Sequence, residues 1–343
     1  MVNYYAQRLA QFVFVLVASI TVTFVLYRLM PMGPMEILRI QMIQAATEGG
    51  EVVTPEELER IDTLVEAYVG MHPDDNIWEA YINYLSGIFL ELDFGHSIML
   101  NAPVFDILFT RMPWSIFISV YGLALGMTTS LLLGAAMAYT EGSKFDVGMT
   151  IFSIVNMTIP YYIVAIVFLI VFAFHLDWFP HAGRMDPTTS PGFNWPFMRG
   201  VIEHGTLPIA SAFFAGFAGA LTYRGNCIRE MGKGYLRVAR LRGISEGRLA
   251  LRYVGRNALL PIYTGIMMGI AGIFGSSVIL EVIFNYQAVG LVTFQALMAR
   301  DYPLLMGAFI FFTVITLVGL LIADLTYGII DPRVKGGGER ESF

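Results

Sequence analysis

Six uncharged, mostly apolar stretches constrain this chain more than any other feature of its sequence. They lie between Arg8 and Arg28, Arg111 and Glu141, Asp146 and Asp177, Glu203 and Arg224, Arg256 and Glu281, and Asp301 and Asp324. Each can cross a bilayer core of about 30 Å, which takes roughly 20 helical residues. Because that core offers no water to backbone amides, such stretches must be helical. The sequence predicts an all-α, polytopic membrane protein with six transmembrane helices.

The composition agrees with this class of protein and argues against others. Apolar residues make up 56% of the 343 positions and charged residues 14%, whereas soluble domains carry about 25% charged residues. The first stretch is too long for a signal peptide and no cleavage pattern follows it, so we interpret it as a retained helix. The one cysteine, Cys227, excludes an intramolecular disulfide, and the five histidines lack the spacing of metal ligands. We expect no catalytic residue, no metal site and no nucleic-acid partner.

Positive charge predicts which side of the membrane each loop occupies. If both termini are cytoplasmic, 14 of the 21 Lys and Arg residues lie inside, as expected because cytoplasmic loops carry the Lys and Arg excess. We therefore expect a multi-pass protein of the inner, or cytoplasmic, membrane. Its predicted segments are an N-terminus with the first span (1–30), an extracytoplasmic segment with short amphipathic helices (31–110), a five-helix transmembrane core (111–330) with a cytoplasmic loop at about 226–258, and a flexible cytoplasmic tail (331–343).

The extracytoplasmic segment contains one well-defined helix start. Thr54, Pro55 and Glu57 form a capping box, in which each polar side chain bonds the other residue's backbone amide. Leu58 and Ile61 then begin an apolar stripe at helical spacing. Two roles stay open for this segment: a cap or docking surface for a soluble partner, or a loop that stabilises the helix bundle.

An arginine-rich stretch, called the elbow below, occupies residues 235–261. It holds six arginines and a single acid, Glu246. Residues 235–242 predict two helical turns that end at Gly243, where a left-handed conformation is favoured, and Ser245 suits the N-cap of the next helix. Three arginines follow on one face of that helix: Arg248, Arg252 and Arg256. The sequence predicts a helix–turn–helix structure on the cytoplasmic membrane surface.

Two functions fit the elbow. Arginines on an amphipathic helix anchor it to lipid headgroups. Alternatively, a short helix with small residues such as Ala239 and Gly243 inserts into a cleft of another protein. Nucleotide binding is not expected, because the glycines of "GNCIREMGKG" are wrongly spaced for a phosphate-binding loop and Gly234 replaces its Ser or Thr.

Motifs along nearly the whole chain resemble one known family. The elbow reads "YLRVARLRGISE" and then "LRYVGRNALLP", which resembles the cytoplasmic loop of ABC importer permeases of the dipeptide, oligopeptide and nickel class. Further segments resemble the same class: "RLAQFVFVLVASITVTFVLYRLMPMGP", "DFGHSIMLNAPVFDILFTRMPWSIFIS", "NMTIPYYIVAIVFLIVFA", "ILEVIFNYQAVGLVTFQALMARDYPLLMG" and "DLTYGIIDPRVK". Two positions depart from the pattern, since Arg237 replaces the acid of the E-A-A signature and Tyr253 stands where histidine is frequent.

The resemblance implies a type I ABC importer permease fold, with the permease core forming half of a translocation pore. The chain itself would then not be catalytic. The implied partners are a homologous second permease, two ATPase subunits that hold ATP and Mg²⁺, an extracytoplasmic solute-binding protein and membrane lipid. In that family the elbow is the coupling helix, which sits in a groove of the ATPase and passes its closure on to the spans.

The same resemblance assigns roles to the elbow's residues. We expect one set to contact the ATPase: Tyr235, Ala239, Arg240, Gly243, Ser245 and Glu246. We expect a second set to hold the elbow against the bundle and the headgroups: Arg248, Arg252 and Asn257.

Polar residues and a proline inside the spans provide candidates for the translocation path. Polar groups within a membrane are expensive and often functional, and a proline removes a backbone hydrogen bond and kinks a helix. We predict that the path or its gate is lined by Asn156, Thr158, Pro160, Tyr161, Tyr162, Glu281 and Asn285. Alternatively, Asn156 and Thr158 form hydrogen bonds between helices and Glu281 lies at the membrane interface.

Other classes of function fit less well. A secondary transporter or channel that works alone needs ionisable residues in mid-span, whereas the six stretches carry no Asp, Glu, Lys or Arg. An intramembrane enzyme needs paired His, Asp or Ser motifs within helices, and the sequence shows no such pair. We expect an importer of di- or oligopeptides, with oligosaccharides or nickel chelates as alternative cargo in the same class.

Overall fold

The computed structural model describes residues 2–29, 34–47, 53–69, 76–214, 217–272 and 278–330. Its first helices are α1 (Val2–Leu29), α2 (Pro34–Thr47), α3 (Pro55–Val69), α4 (Ile77–Ser86), α5 (Val104–Tyr139), α6 (Lys144–Thr158), α7 (Tyr161–Phe168) and α8 (Trp195–Phe214). The remaining helices are α9 (Ala218–Met231), α10 (Gly234–Leu241), α11 (Glu246–Arg248), α12 (Arg256–Gly272), α13 (Val278–Ile283), α14 (Val289–Ala299) and α15 (Tyr302–Ile330). The predicted all-α class is confirmed.

Irregular elements interrupt the helices at a few places. Within the described ranges, three π-helical segments continue α4, α7 and α11: Gly87–Glu91, Leu169–His175 and Leu249–Gly255. In the described ranges the only sheet is an antiparallel pair of two-residue strands, β1 (His96–Ser97) and β2 (Ala102–Pro103).

The helices account for at least half of the predicted spans. Among the described residues, three are long and apolar enough to cross a membrane: Ala6–Leu26, Val104–Tyr139 and Tyr302–Ile322. Two bent pairs, α6 with α7 and α8 with α9, raise the number to as many as five. The predicted fifth span includes 273–277, and these residues and the predicted tail lie outside the described part of the chain. The number of six spans therefore stays a prediction.

One compact unit comprises residues 1–113 and 289–343. Its helix α1 packs along α15, and α2 packs on α3. A shared apolar core joins these elements with α4: Leu16, Ile20, Phe24, Leu38, Ile61, Val65, Ala80, Tyr84, Ile88, Met306 and Ile310. The helices of the predicted extracytoplasmic segment thus stabilise this unit, while a docking role for them stays a prediction.

The helix starts of this unit have local hydrogen bonds that explain them. The predicted capping box of α3 is confirmed: the Thr54 backbone N–H donates to Glu57 Oε2 over 2.8 Å, and Glu57 N–H to Thr54 Oγ1 over 3.4 Å. Asp301 caps α15 by accepting from Leu304 N–H over 3.2 Å. Its other oxygen accepts from Ser97 Oγ over 2.5 Å, which ties the strand pair to the same helix end.

The second unit comprises residues 114–288 and contains the candidate functional residues. Helices α6 and α12 both pack on α9, and α8 and α13 both pack on α7. One apolar core lies around α7: Ile118, Ala165, Ala173, Leu207, Leu280, Phe284, Tyr286 and Ala288. A second core lies beneath the elbow: Ala138, Tyr223, Cys227, Leu236, Ala239, Leu249, Val254 and Ala258.

The predicted third span is broken rather than merely kinked. Helix α6 ends at Thr158, Ile159 is extended, and Pro160 is the N-cap residue of α7. The two helices meet at an angle of 92°. Because proline disfavours a helical conformation in the residue before it, the break falls where the sequence placed the kink.

Candidate functional site

The elbow begins with α10, whose end is set by Gly243 as predicted. Gly243 adopts φ +75°, and its N–H donates to Arg240 O over 2.9 Å. The next amide, Ile244 N–H, donates to Ala239 O over 3.3 Å. These two bonds form a Schellman motif, which needs a left-handed residue at this position and therefore favours glycine.

The inner face of α10 packs against the protein's own core. Leu236 and Ala239 are buried beside Cys227, Leu249 and Val254. Only 7% of the surface of Ala239 is exposed. The small side chain that the sequence assigned to contact with another protein therefore serves close packing within this chain.

The outer side of α10 carries an exposed apolar surface. Tyr235, Val238 and Leu241 recur every third residue and are all exposed, Leu241 at 82%. We call these three residues the exposed α10 face. Three exposed arginines flank it: Arg237, Arg240 and Arg242. Sequence reasoning missed Leu241, although its spacing from Tyr235 and Val238 was a readable signal.

The second half of the elbow differs in detail from the prediction. Ser245 holds the N-cap position, but its side chain makes no capping hydrogen bond there. Glu246 accepts from Arg240 Nε over 3.0 Å, in an ion pair whose two side chains are both exposed. The three predicted arginines are all exposed, although a π-helical segment separates the first from the last: Arg248, Arg252 and Arg256.

A hydroxyl network joins the elbow to its neighbouring helices. The Tyr235 hydroxyl donates to the buried carboxylate of Glu230 and accepts from Asn257 Nδ2 over 2.9 Å. The second oxygen of Glu230 pairs with Lys233 Nζ at 2.6 Å. Burial and then the hydrogen bond to Glu230 raise the pKa of Tyr235, so its hydroxyl stays protonated. Sequence reasoning placed Tyr235 and Asn257 in the elbow but missed Glu230, which accepts the hydrogen bond of the Tyr235 hydroxyl.

A buried ion pair fixes α6 against α9 next to the elbow. Arg224 Nε and Nη2 donate to the two oxygens of Asp146 over 2.5 and 2.7 Å. The Asp146 side chain is 3% exposed and also accepts from Gly142 N–H over 3.0 Å. A bidentate guanidinium–carboxylate pair is both strong and geometrically specific. The sequence treated both residues only as ends of spans.

Two polar residues of α6, Asn156 and Thr158, were considered as sources of hydrogen bonds between helices, and the described residues show no such bond from either. Asn156 is buried, and its Oδ1 has no hydrogen-bond partner among the described residues. Ser153, one turn earlier, is buried with an equally unpartnered Oγ. Thr158 is exposed and donates to Ile154 O in its own helix over 3.0 Å. Asn156 and Ser153 thus form an unsatisfied polar pair inside an apolar helix.

The other predicted path residues lie in two places within this unit. Tyr161 and Tyr162 follow the break at Pro160, with ring centroids 5.9 Å apart. Glu281 is buried on α13 and accepts from Ser115 Oγ over 2.8 Å.

Asn285 follows α13 and is exposed, with φ +45°. Helix α6 packs on α9, whereas α13 packs on α7. Tyr161 packs against the same apolar core as Leu280 and Phe284, so the structure places α13 beside α7, the helix that follows the break.

Together, these features define a class of protein. Several long apolar helices and an elbow with exposed arginines describe a multi-pass membrane protein with a structured basic loop. Apolar residues on the exposed α10 face add a surface that the protein's own core does not cover.

Comparison with known proteins assigns the family. Residues 130–336 match the family described as the inner membrane component of binding-protein-dependent transport systems, and residues 1–128 match the N-terminal family of the same membrane components. The chain therefore belongs to this family and is a permease subunit of an ABC importer. It is a membrane component and not a catalytic protein. The resemblance seen in the motifs is confirmed.

Individual relatives cover most of the chain. The oligopeptide transport system permease protein AppB of Bacillus subtilis (strain 168) is 33% identical over 259 residues, which cover 74% of this chain and 80% of the relative. The inner membrane ABC transporter permease protein YejB of Escherichia coli O157:H7 is 29% identical over 362 residues, covering 98% and 99%. The dipeptide transport system permease protein DppB of Lactococcus lactis subsp. cremoris (strain MG1363) is 28% identical over 337 residues, covering 98% and 100%.

Proposed function

We propose that this permease imports di- or oligopeptides and is driven by an ATPase that binds the exposed α10 face. The observation that carries the proposal is the apolar surface of Tyr235, Val238 and Leu241, ringed by arginines and fixed to the rest of the unit. An exposed tyrosine beside arginines is the composition typical of protein–protein contact, and the adjoining Val238 and Leu241 add apolar surface that such a contact would bury. The names of relatives such as AppB and DppB support peptides as the cargo.

The proposed ATPase contact includes residues around the turn after α10. Besides the exposed α10 face, we assign Arg240, Gly243, Ser245 and Glu246 to it, because all four are exposed. Ala239 supports the contact from within by letting α10 lie close to the core. Arg248 and Arg252 suit lipid headgroups, while Asn257 holds the elbow through Tyr235.

The proposed assembly contains further subunits. A homologous second permease completes the pore, two ATPase subunits bind and hydrolyse ATP with Mg²⁺, and an extracytoplasmic solute-binding protein delivers the cargo. Both termini and the elbow lie in the cytoplasm and the chain lies in the inner membrane, an orientation supported by the 14 of 21 Lys and Arg residues on that side. ATP-driven closure of the ATPases moves the elbows, and the helix bundles rearrange as rigid bodies.

The cargo path is proposed to run past the break in the third span. Unsatisfied polar atoms of Ser153 and Asn156 offer hydrogen bonds to a peptide backbone. Tyr161 and Tyr162 lie at the bend, where the path can open or close as α6 moves relative to α7. We assign Thr158 and Pro160 to the same gate.

The second candidate set belongs to the outer part of the proposed path. Glu281 and Asn285 lie at the end of the predicted fifth span that faces the exterior. Buried Glu281, held by Ser115, suits the amino group of a peptide.

Transport by the reconstituted complex tests the proposal. Proteoliposomes that contain both permeases and the ATPases, supplied with the binding protein, should accumulate labelled di- or oligopeptides only when ATP is present. Leu241→Glu should remove the ATPase on purification, because a charge replaces an apolar contact. Leu90→Glu is the matched control, since Leu90 is also 82% exposed but belongs to the extracytoplasmic segment.

Two results would contradict the proposal. Peptide uptake by this chain without any ATPase would make it a secondary transporter or channel. Uptake of oligosaccharides or nickel chelates, but not of peptides, would agree with an ATP-driven permease and would reject peptides as its cargo.

A further inference from the structure

One hydroxyl group connects three helices at the start of the elbow. Tyr235 lies in the first turn of α10, Glu230 in the last turn of α9, and Asn257 in the first turn of α12. The hydroxyl donates to Glu230 and accepts from Asn257 Nδ2 over 2.9 Å. The hydroxyl therefore uses its donor toward Glu230, which precedes it in the sequence, and one acceptor position toward Asn257, which follows it.

Burial of Glu230 strengthens one half of this connection, while the hydrogen bond from Asn257 to Tyr235 is exposed. Glu230 is buried, and its two oxygens are taken by Tyr235 and Lys233. A buried carboxylate that loses a partner is penalised, because water cannot replace the missing bond. The other polar link of the elbow, between Arg240 and Glu246, is exposed and is worth little by comparison.

Further hydrogen bonds join α9 to the start of α12 and to the π-helical segment before it. Tyr223 on α9 donates to Gly255 O over 3.2 Å, and Asn226 Nδ2 donates to Ala258 O over 3.3 Å. Gly255 ends the π-helical segment and Ala258 lies in the first turn of α12, so α9 is linked to this junction, while Tyr235 attaches α10 to α9 and α12. A force applied to α10 reaches both helices through this residue.

We propose that Glu230, Tyr235 and Asn257 are positioning residues that pass the movement of α10 on to α9 and α12. This inference rests on the proposed function, in which an ATPase binds the exposed α10 face. It assigns the hydroxyl of Tyr235 to coupling and leaves ATPase binding to the aromatic ring of Tyr235 and the other residues of the proposed contact.

The variant Tyr235→Phe tests this assignment in the complete transport complex. It removes the hydroxyl and keeps the aromatic ring, so the ATPase should still co-purify with the permease. Transport should become poorly coupled: the number of ATP molecules hydrolysed per peptide imported should rise by about fivefold, the effect of losing one hydrogen bond. Tyr253→Phe is the matched control, because Tyr253 lies in the same elbow and takes no part in the network.

A second set of variants tests whether the residues act as one unit. If they do, Tyr235→Phe and Asn257→Ala should each raise the ratio of ATP to peptide, and the double variant should raise it no further than Tyr235→Phe alone. Strictly additive effects of the two substitutions would overturn the proposal.

The outcomes separate this inference from the function on which it rests. If Leu241→Glu retains the ATPase and normal uptake, the proposed docking surface is wrong. If Tyr235→Phe loses the ATPase, the hydroxyl of Tyr235 serves docking and its positioning role is rejected, while the docking surface stands. An unchanged ratio of ATP to peptide in Tyr235→Phe also rejects the positioning role.

Discussion

At the scale of single residues, a bidentate ion pair of Asp146 with Arg224 joins two helices of the second unit. Two of the three guanidinium nitrogens, Nε and Nη2, donate to the carboxylate, and the Asp146 side chain is 3% exposed. Breaking a buried pair by removing one partner leaves an uncompensated charge. This pair fixes the start of α6 to α9, the helix from which the elbow continues.

The variant Asp146→Asn should therefore lower the free energy of unfolding by about 3 kcal/mol. A denaturant titration of the purified permease in mixed micelles measures the change. Glu203→Gln is the matched control, because the pair of Arg199 with Glu203 is exposed at 66% and 39% and such pairs contribute about 1 kcal/mol or less. Equal effects of the two variants would contradict the importance of the buried pair.

The capping box of α3 predicts a dependence on pH. The hydrogen bond from the Thr54 backbone N–H, followed by that from its hydroxyl, lowers the pKa of Glu57. Because the folded pKa is below the unfolded value of about 4.3, the stabilisation is present above that pH and is lost as the pH falls through the folded pKa.

Hydrogen exchange of the α3 amides, corrected for the intrinsic pH effect, should show weaker protection as the pH falls below about 4. Glu57→Gln should remove this dependence, because the amide caps the helix without titrating. If the variant loses protection over the same pH range as the wild type, another group is responsible.

Residue roles could be predicted from the sequence only where they depend on local geometry. Gly243 ends α10 because of its left-handed backbone, and Thr54 with Glu57 caps α3. Each of these patterns spans four residues or fewer. The partners Asp146 and Arg224 are 78 positions apart. The two residues meet only in the folded structure, so no local pattern in the sequence predicts their ion pair.

At the scale of secondary structure, close approach of α5 and α9 depends on a residue without a side chain. A Cβ atom on Gly134 would lie 2.6 Å from Ala220 O and 3.1 Å from Tyr223 Cβ. Small residues allow helix backbones to approach in membranes. The first of these contacts is to backbone, which cannot rotate away.

Gly134→Ala should consequently destabilise the protein by about 1–3 kcal/mol, because the two helices must move apart. The control is Gly148→Ala in α6, where nothing lies within 4 Å of the added atom. That substitution should be neutral or stabilising by about 0.5–1 kcal/mol. Thermal unfolding of the two variants side by side checks the pair, and a tolerated alanine at Gly134 contradicts the close packing.

Helix positions could be predicted better than helix details. Apolar stretches free of charge predicted α1, α5 and α15, because an unpaired charge in hydrocarbon is unfavourable whatever the fold. Pro160 predicted a kink after α6, but it did not predict an angle as large as 92°. The sequence alone did not show which side of α10 faces the core. Its arginines lie on more than one face, so either Ala239 or Leu241 could have been the buried residue.

At the scale of the whole molecule, the function depends on assembly with other chains. The membership of the permease family was predictable because its motifs extend from the first helix to the last. Such motifs do not determine the cargo, because relatives of one family carry different solutes. In the proposed assembly, the exposed α10 face is the surface of this chain assigned to the ATPase.

Photo-cross-linking from position 241 tests that contact in the assembled complex. The native Cys227 is buried, so a thiol-directed benzophenone placed on Leu241→Cys should label this one position. Illumination should yield an adduct of the permease with the ATPase subunit, whereas Leu90→Cys, equally exposed at 82%, should give none. Absence of the ATPase adduct from Leu241→Cys, or its formation from Leu90→Cys, would contradict a cytoplasmic elbow held by the ATPase.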